Sequence, residues 1–234
     1  KQALTLMAGK GAMPIAGGTD VLVQARMLSG EVPLVNIAGL AELKEIFDVE
    51  GGVSIGSGVC FTDLVKHPLI QQRYPLLVTA CKTVGSLQLR NRATIGGNIV
   101  NAAPCADSMP PLIIYEAEVE LRSARGTRRM PVSEFVIGGY RTLLEPDELV
   151  IRFILPAPTQ QPLINRYLQL GRRNALNITR QSLTGQFMVD KGVVRLCRLV
   201  DGALLAKPQR LLEVEQALIG RTLDAATIDY AAGV

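Results

Sequence analysis

Apolar residues along the first 158 positions alternate between helical and strand-like spacing. Before residue 52 the order is helix, strand, glycine turn, helix and strand, which predicts a small α/β unit over residues 1–52. The pair Gly51-Gly52 separates two strand-like runs and predicts a hairpin, so we expect a second α/β unit over residues 53–158. Its predicted elements are the strands Val53–Gly58, Val119–Arg122, Arg128–Val132 and Leu149–Leu155 and the helices Thr62–Lys66, Ile70–Val84 and Met109–Tyr115.

The last third of the chain changes to a pattern typical of an antiparallel sheet. Three prolines fall within Pro156–Pro162 and predict a domain boundary. The pattern as a whole predicts an α+β protein, with a C-terminal antiparallel sheet and helices over residues 159–234, and we expect the chain to continue beyond both printed ends. The predicted C-terminal elements are the strands Leu163–Leu170, Ser182–Val189 and Val193–Val200 and a helix over Pro208–Ile219 that Gly220 ends.

The segment TIGGNIVNAAPCADSMPPL, from Thr94 to Leu112, combines glycines with small polar residues. Gly96 and Gly97 lack the side chains that would hold a ligand away from the backbone. Such a segment can approach a pyrophosphate closely. Polar groups at close range are offered by Thr94, Asn98, Asn101 and Asp107.

A second segment, PIAGGTDVLVQ from Pro14 to Gln24, repeats this chemistry. A short apolar run leads into the Gly17-Gly18 turn, and Thr19 and Asp20 then open a helix-like run. Main-chain N–H groups at such a turn and at a helix start favour anions. Either glycine pair alone is compatible with an ordinary tight turn, but two of them together indicate one large anionic ligand.

The formal net charge is +4, and arginines cluster between Arg122 and Arg129. This cluster falls in the predicted hairpin, whose tip we expect to be solvated. Aromatic residues make up only 4% of the chain and do not interleave with the arginines, which argues against nucleic-acid binding. A docking face for an acidic partner and a plain solvated face both remain open as uses of the charge.

Cysteine and histidine usage gives no indication of a metal site. The chain has four cysteines without a C-x-x-C pair and a single histidine, His67, at a predicted helix end. We therefore expect reduced thiols and a turn role for His67. No apolar run approaches the roughly 20 residues that a membrane span needs, so the default expectation is a soluble cytoplasmic protein.

Taken together, the motifs resemble the FAD-binding subunit of the xanthine dehydrogenase and carbon monoxide dehydrogenase family of molybdenum hydroxylases. The resemblance covers nearly the whole chain and implies a two-lobed, PCMH-like FAD-binding domain followed by the C-terminal sheet. Its blocks are AGGTD at 16–20, SIGSGVCFTDL at 54–64, YPLL at 74–77, GSLQLRNRATIGGN at 85–98, PCAD at 104–107, SARGTRRMPVSEF at 123–135, EPDELV at 145–150 and GRRNALNI at 171–178.

The resemblance also implies which residues contact FAD. The first segment should wrap the pyrophosphate, with main-chain donors at its glycine turn, and the second should complete the cradle. Asp107 should accept hydrogen bonds from cofactor hydroxyls, while Ile99 and Val100 should lie beside the isoalloxazine. Val84 occupies a position that is aromatic and packs on the adenine in some relatives, and Arg173 matches a family arginine near the flavin or an interface. The implied cradle consists of Pro14, Ile15, Ala16, Gly17, Gly18, Thr19, Asp20, Val21, Thr94, Gly96, Gly97 and Asn98.

By the same resemblance, this chain passes electrons from iron–sulfur clusters to an acceptor such as NAD. A molybdopterin-containing large subunit hydroxylates the substrate, and a two-cluster iron–sulfur small subunit connects the two. No nucleophile-and-base pair and no G-x-G-x-x-G motif after a strand are present, so no catalytic residue and no Rossmann domain are expected. Two alternatives remain: a different flavoenzyme on a related fold, and a fold relative without flavin that acts as an assembly module.

Overall fold

The computed structural model describes residues 1–24, 32–159, 163–173 and 178–234. At the N-terminus, helix α1 (Gln2–Lys10) packs on a two-stranded parallel sheet of β1 (Met13–Ile15) and β2 (Leu34–Asn36). Gly11 ends α1 with a left-handed φ of 59°, and its N–H donates to the Met7 carbonyl. A short helix, α2 (Val21–Gln24), follows the first glycine turn.

The centre of the molecule is a five-stranded antiparallel sheet with the strand order β3-β4-β9-β5-β6. The strand β9 comes from far along the chain and lies between β4 and β5. Every residue of β4 is buried, as expected for a strand covered on both faces. The strands are β3 (Ile46–Val49), β4 (Gly52–Gly56), β5 (Glu118–Ser123), β6 (Gly126–Pro131) and β9 (Leu149–Pro156). Between β6 and β9 the chain forms a separate two-stranded antiparallel sheet of β7 (Val136–Gly138) and β8 (Arg141–Thr142).

Short helices pack beside this sheet and form the main core with it. The prediction of a single helix over Ile70–Val84 is wrong, because the helix is interrupted at Tyr74. Pro75 disfavours helical geometry in the residue before it, and the break lets the Tyr74 hydroxyl donate to the Leu155 and Pro156 carbonyls. The helices are α3 (Phe61–Lys66), α4 (Pro68–Arg73), α5 (Pro75–Thr83), α6 (Leu87–Arg90), α7 (Ile95–Asn101), α8 (Met109–Ile114) and α9 (Val132–Phe135).

The C-terminal region is an antiparallel sheet with two helices, which confirms the predicted α+β class. Its strand order is β10-β11-β12-β13. The helix predicted from Pro208 begins only at Leu212, because Gln209 and Arg210 pair with the free edge of β12 instead. The elements are β10 (Ile164–Leu170), β11 (Gln181–Asp190), β12 (Val193–Gly202), β13 (Gln209–Arg210), α10 (Leu212–Leu218) and α11 (Ala225–Ala232).

The predicted domain boundaries fall at two different kinds of position. The division between residues 52 and 53 cuts the hairpin of β3 and β4, so both predicted lobes contribute to the central sheet. The division after residue 158 lies beside residues 160–162 of the proline-rich segment, which are outside the described residues. Among the described residues, no helix is both long and apolar enough to cross a membrane.

The arginine cluster of the β5–β6 hairpin is matched by carboxylates of the same chain. Arg129 donates to Glu120 at 2.7 and 3.0 Å, and Arg128 donates to both oxygens of the buried Glu148 at 2.6 and 2.7 Å. Arg125, at the tip, pairs with Glu145 and Asp147. Much of the positive charge seen in the sequence is therefore neutralised locally.

The first prediction concerns the pair of Arg128 and Glu148. Hydrogen bonding to Arg128 holds the pKa of Glu148 below its usual value, so the pair stabilises the fold above about pH 4.5, and this contribution falls as the pH drops through the lowered pKa. Arg128→Met leaves a buried carboxylate unpaired. We expect a loss of about 2 kcal/mol at pH 7, below the range for a fully buried pair because water screens Arg128.

Urea unfolding of both proteins at pH 7 and pH 4 measures this difference, which should shrink at the lower pH. Arg125→Met is the matched control, since the Arg125 side chain is 60% exposed and its loss should matter less. An equal loss of stability in the two variants, or a loss that does not depend on pH, would contradict the assignment.

Candidate functional site: a glycine-walled cavity

A cavity of about 510 Å³ lies where the two glycine segments meet the loop that leads into β9. This volume is within the range of small-molecule and cofactor sites. One wall is the first glycine segment, the second is the start of α7, and the third is the chain from Leu144 to Val150. The lining includes Met13, Pro14, Ala16, Gly17, Gly18, Thr19, Asp20, Val21, Ile37, Ser57, Thr94, Gly96, Gly97, Asn98, Val100, Asn101, Tyr140, Leu144, Glu145, Glu148, Leu149 and Val150.

The first glycine turn presents unpaired main-chain donors to this cavity. Gly18 has a left-handed φ of 74°, and the Leu22 N–H donates to the Gly18 carbonyl at 3.2 Å, which closes the turn. Within the described residues, the N–H groups of Gly18, Thr19 and Asp20 have no hydrogen-bond acceptor. Three adjacent free N–H groups in one turn are a suitable donor set for an anion.

The second glycine segment has a different geometry from the one the sequence suggests. The Gly96 N–H donates to the Ser57 carbonyl at 2.8 Å, and the Gly97 N–H donates to the Thr94 hydroxyl at 3.1 Å, as in an ordinary helix N-cap. The Asn98 N–H donates to the Thr94 carbonyl. These main-chain donors are already used within the protein, so the polar groups that this wall offers are side chains, those of Thr94, Asn98 and Asn101.

Gly96 and Gly97 have different structural roles. A Cβ atom on Gly96 would lie 2.6 Å from the Ser57 carbonyl oxygen, so Gly96 is needed for packing. A Cβ atom on Gly97 would meet only the Thr94 hydroxyl, at 3.1 Å, and Gly97 is exposed in the cavity wall. Gly96 therefore brings α7 against β4, and Gly97 keeps space free for a ligand.

The first glycine turn contacts the residues that come just before the second glycine segment. A Cβ atom on Gly17 would lie 2.0 Å from the Arg92 carbonyl oxygen, and the Arg92 Nε donates to the Gly17 carbonyl at 3.3 Å. Only glycine permits this approach, so the juxtaposition of the segments that the sequence suggested has a structural basis.

The charged side chains that line the cavity are acidic. Asp20, Glu145 and Glu148 are among them, whereas no lysine or arginine is found among the described residues of the lining. The Glu148 carboxylate is tied to Arg128 and also accepts a hydrogen bond from the Glu145 N–H at 3.0 Å, which fixes the third wall. An anion in this cavity must therefore be bound mainly by main-chain and neutral polar donors.

Five residues predicted to be in the site are not part of the lining. Ile99 is fully buried in the main core, because Ile95 and Ile99 are four residues apart on the core side of α7. The Ile99 side chain therefore does not reach the cavity, which corrects its predicted place beside the isoalloxazine, whereas Val100 is part of the lining. Ile15, Val84, Asp107 and Arg173 also lie outside the lining.

Asp107 connects the second lobe to the C-terminal sheet. Its Oδ1 accepts hydrogen bonds from the Tyr167 hydroxyl at 2.8 Å, the Thr179 hydroxyl at 2.6 Å and the Gln169 amide at 3.3 Å. Burial raises the pKa of Asp107, while the three donors lower it. The neighbouring Ser108 hydroxyl donates to Asn98 at 2.7 Å, so this cluster adjoins the cavity wall.

Sequence reasoning missed several residues of the site. Ser57 and Arg92 are needed for the close approach of the glycines, Glu148 belongs to the third wall, and Tyr140 lines the cavity outside the three walls. The motifs SIGSG, GSLQLRNRATIGGN and EPDELV contain three of these residues, but nothing in their spacing shows that they meet the first glycine turn. In the described part of the chain, no cluster of three or more histidine, cysteine or acidic residues is arranged to hold a metal ion.

Comparisons with known proteins agree with this geometry. Residues 1–158 match the family model described as FAD binding domain in molybdopterin dehydrogenase. The chain is 34% identical over 217 residues to the xanthine dehydrogenase FAD-binding subunit of Escherichia coli O157:H7, covering 92% of this chain and 74% of that protein. It is 32% identical over 224 residues to the nicotinate dehydrogenase FAD-subunit of Eubacterium barkeri, with the same coverages.

Among solved structures, the carbon monoxide dehydrogenase of Hydrogenophaga pseudoflava that lacks the Mo-pyranopterin moiety superposes with a TM-score of 0.92. The two chains are 28% identical, and the match covers 99% of this chain and 81% of that one. Quinoline 2-oxidoreductase from Pseudomonas putida 86 gives the same TM-score at 25% identity, covering 99% and 80%. The fold, the glycine-walled cavity and the sequence matches together show that this chain belongs to the family of FAD-binding subunits of molybdopterin dehydrogenases.

Proposed function

We propose that this chain binds FAD in the glycine-walled cavity and transfers electrons within a molybdenum hydroxylase complex. The observation that carries the proposal is the set of unpaired N–H groups at Gly18, Thr19 and Asp20, which open onto a cavity of about 510 Å³. A pyrophosphate suits such a donor set because it brings several acceptor oxygens close together. The residues therefore fit the cofactor that the family binds.

Each wall has its own part in holding the cofactor. The first glycine turn binds the pyrophosphate, and the side chains of Thr94 and Asn98 bind polar groups beside it. Val100, Leu149 and Val150 provide an apolar surface for a flat ring and exclude water from it. Bound FAD supplies the electron-transfer chemistry, and the protein supplies binding, orientation and electrostatics.

The remaining assignments are proposals at the level of the whole complex. We infer that a molybdopterin-containing large subunit and a two-cluster iron–sulfur small subunit supply the electrons, and that an acceptor such as NAD receives them. Support comes from relatives that are named as FAD-binding subunits or medium chains of dehydrogenases. All four cysteines are free thiols, which fits a reducing compartment such as the cytoplasm.

The division into lobes belongs to the same proposal. Residues 1–52 and 53–158 would form the two lobes of the FAD-binding domain, and residues 159–234 the C-terminal domain. The cavity fits this division, since it lies between the first glycine turn and α7. The hairpin of β3 and β4 joins the lobes, so we expect them to unfold together rather than separately.

The second prediction is that the purified chain binds FAD in preference to FMN. The free donors of the first turn match a pyrophosphate, and FMN lacks both the second phosphate and the adenosine. Cofactor released by denaturation and separated by chromatography should be FAD, and reconstitution of the flavin-free chain should saturate with FAD at lower concentration than with FMN. Release of FMN alone, or failure to take up FAD supplied in excess, would contradict the proposed function.

The third prediction uses Gly97→Val. Its Cβ atom would meet only the Thr94 hydroxyl, and Gly97 lines the cavity, so FAD binding should fall by at least about tenfold while the thermal unfolding midpoint stays close to wild type. Gly138→Val is the matched control, because nothing lies within 4 Å of a Cβ atom there and Gly138 is outside the lining.

Gly96→Val provides a second contrast. Its side chain would clash with the Ser57 backbone, so this variant should lose stability as well as FAD. Wild-type FAD affinity in Gly97→Val would show that the pyrophosphate lies elsewhere.

The fourth prediction concerns the division of labour. The chain loaded with FAD but without its partners should not hydroxylate any aldehyde or purine, since no group of three or more histidine, cysteine or acidic side chains among the described residues is arranged to hold a metal ion. Dithionite should still bleach its flavin absorbance. Steady-state assays with and without co-expressed large and small subunits measure the difference, and sustained oxidation by the isolated chain would favour a self-contained flavoenzyme.

A further inference from the structure

Arg92 lies between the two glycine segments and contacts the first of them in two ways. Its Nε donates to the Gly17 carbonyl at 3.3 Å. Its own carbonyl lies so close that a Cβ atom on Gly17 would be 2.0 Å from the oxygen and 2.7 Å from the carbon. The first glycine turn thus rests on Arg92 through both side-chain and backbone contacts.

The backbone around Arg92 is held firmly on its other side. The N–H groups of Arg92 and Ala93 both donate to the Leu89 carbonyl, at 2.9 and 2.7 Å. The Phe61 N–H donates to the Ala93 carbonyl at 3.1 Å, and the backbones of Thr94 and Cys60 pair in an isolated antiparallel β-bridge. Because this segment continues directly into the N-cap of α7, Arg92 has a fixed position relative to the second glycine segment.

The hydrogen bond to Gly17 also determines how Gly18 is oriented. The Gly17 carbonyl and the Gly18 N–H belong to one planar peptide group, in which they point in opposite directions. Fixing the carbonyl toward Arg92 therefore fixes the Gly18 N–H on the opposite side, and this N–H is one of the unpaired donors of the cavity.

The charge of Arg92 adds to this effect. The described side chains of the lining include three carboxylates and no cation, so the cavity itself does not attract an anion by side-chain charge. The Arg92 guanidinium offsets the partial negative charge of the Gly17 carbonyl, which belongs to the same turn as the three free N–H groups.

We infer that Arg92 is a positioning residue for the pyrophosphate, acting through the Gly17–Gly18 peptide rather than by touching the reacting ring. The inference rests on the proposed FAD binding and extends it to a residue outside the cavity lining. It predicts different effects on the two halves of FAD. Binding of the half that contains the pyrophosphate should depend on Arg92, and binding of the isoalloxazine half should not.

The test compares Arg92→Gln and Arg92→Lys with wild type by calorimetric titration of FAD, ADP and riboflavin. Arg92→Gln should raise the Kd for FAD and for ADP by about tenfold, as expected for loss of one charged hydrogen bond and its orienting effect, while the Kd for riboflavin changes less than about twofold. Arg92→Lys keeps the charge but not the Nε donor and should give an intermediate loss for FAD and ADP.

Arg195→Gln is the matched control, because it removes the same charge from an exposed ion pair with Asp190 in the β11–β12 hairpin. It should leave all three Kd values unchanged. Thermal unfolding of each variant shows whether the fold is retained. If Arg92→Gln does not fold, the comparison is made with Arg92→Lys alone.

Two results would overturn the inference. Unchanged FAD affinity in a folded Arg92 variant would show that Gly18 is oriented without it, and an equal loss for riboflavin, ADP and FAD would reduce Arg92 to a general structural role. A wild-type chain that binds neither FAD nor ADP would instead contradict the proposed function, so the two failures are distinguishable.

Discussion

The strand β9 is the element on which the rest of the structure depends. It pairs with β4 on one side and β5 on the other, and its two faces pack in different cores. Leu149 and Ile151 pack with the N-terminal helix and strands, whereas Val150 and Phe153 pack in the main core. A strand with two buried faces must be apolar at nearly every position, and this requirement explains why Arg152 is the one charged residue between Leu149 and Pro156.

The cavity is held in place through a short series of hydrogen bonds that begins at this strand. The Ser57 N–H donates to the Ile151 carbonyl, and the Ser57 carbonyl accepts from the Gly96 N–H. The hydrogen bond of Gly96 thereby fixes the start of α7. Arg92 lies in the segment just before α7, and its Nε donates to the Gly17 carbonyl of the first glycine turn. The same strand begins at the third wall, so all three walls of the cavity are positioned by the pairing of β9 with β4.

Sequence patterns predicted the α+β class, the β5–β6 hairpin and the C-terminal antiparallel sheet, because each depends on local periodicity. They failed where a distant partner decides the outcome. Gln209 and Arg210 are in β13 because the edge of β12 is free to pair with them, and the interruption of the helix at Tyr74 places the Tyr74 hydroxyl on carbonyls more than 80 positions away in the sequence.

For the site, the glycine pairs and polar residues could be recognised in the sequence, but whether each main-chain N–H was free or already hydrogen-bonded could not. Residues 25–31, 160–162 and 174–177, including part of GRRNALNI, lie outside the described residues.

The electrostatics of the cavity follow from which charges are neutralised elsewhere. Arg125 and Arg128 of the β5–β6 hairpin are paired with Glu145 and Glu148 of the third wall, and Arg129 is paired with Glu120 within the hairpin. These charges therefore do not reach the ligand as free cations. Asp107 is buried and has no cationic partner among the described residues, and its three neutral donors offset part of the cost of burial while they attach the C-terminal sheet to the loop after α7. An anionic cofactor in such surroundings depends on oriented peptide groups. Because peptide dipoles act only over a short range and in a fixed direction, the residues that orient them matter as much as those that touch the ligand.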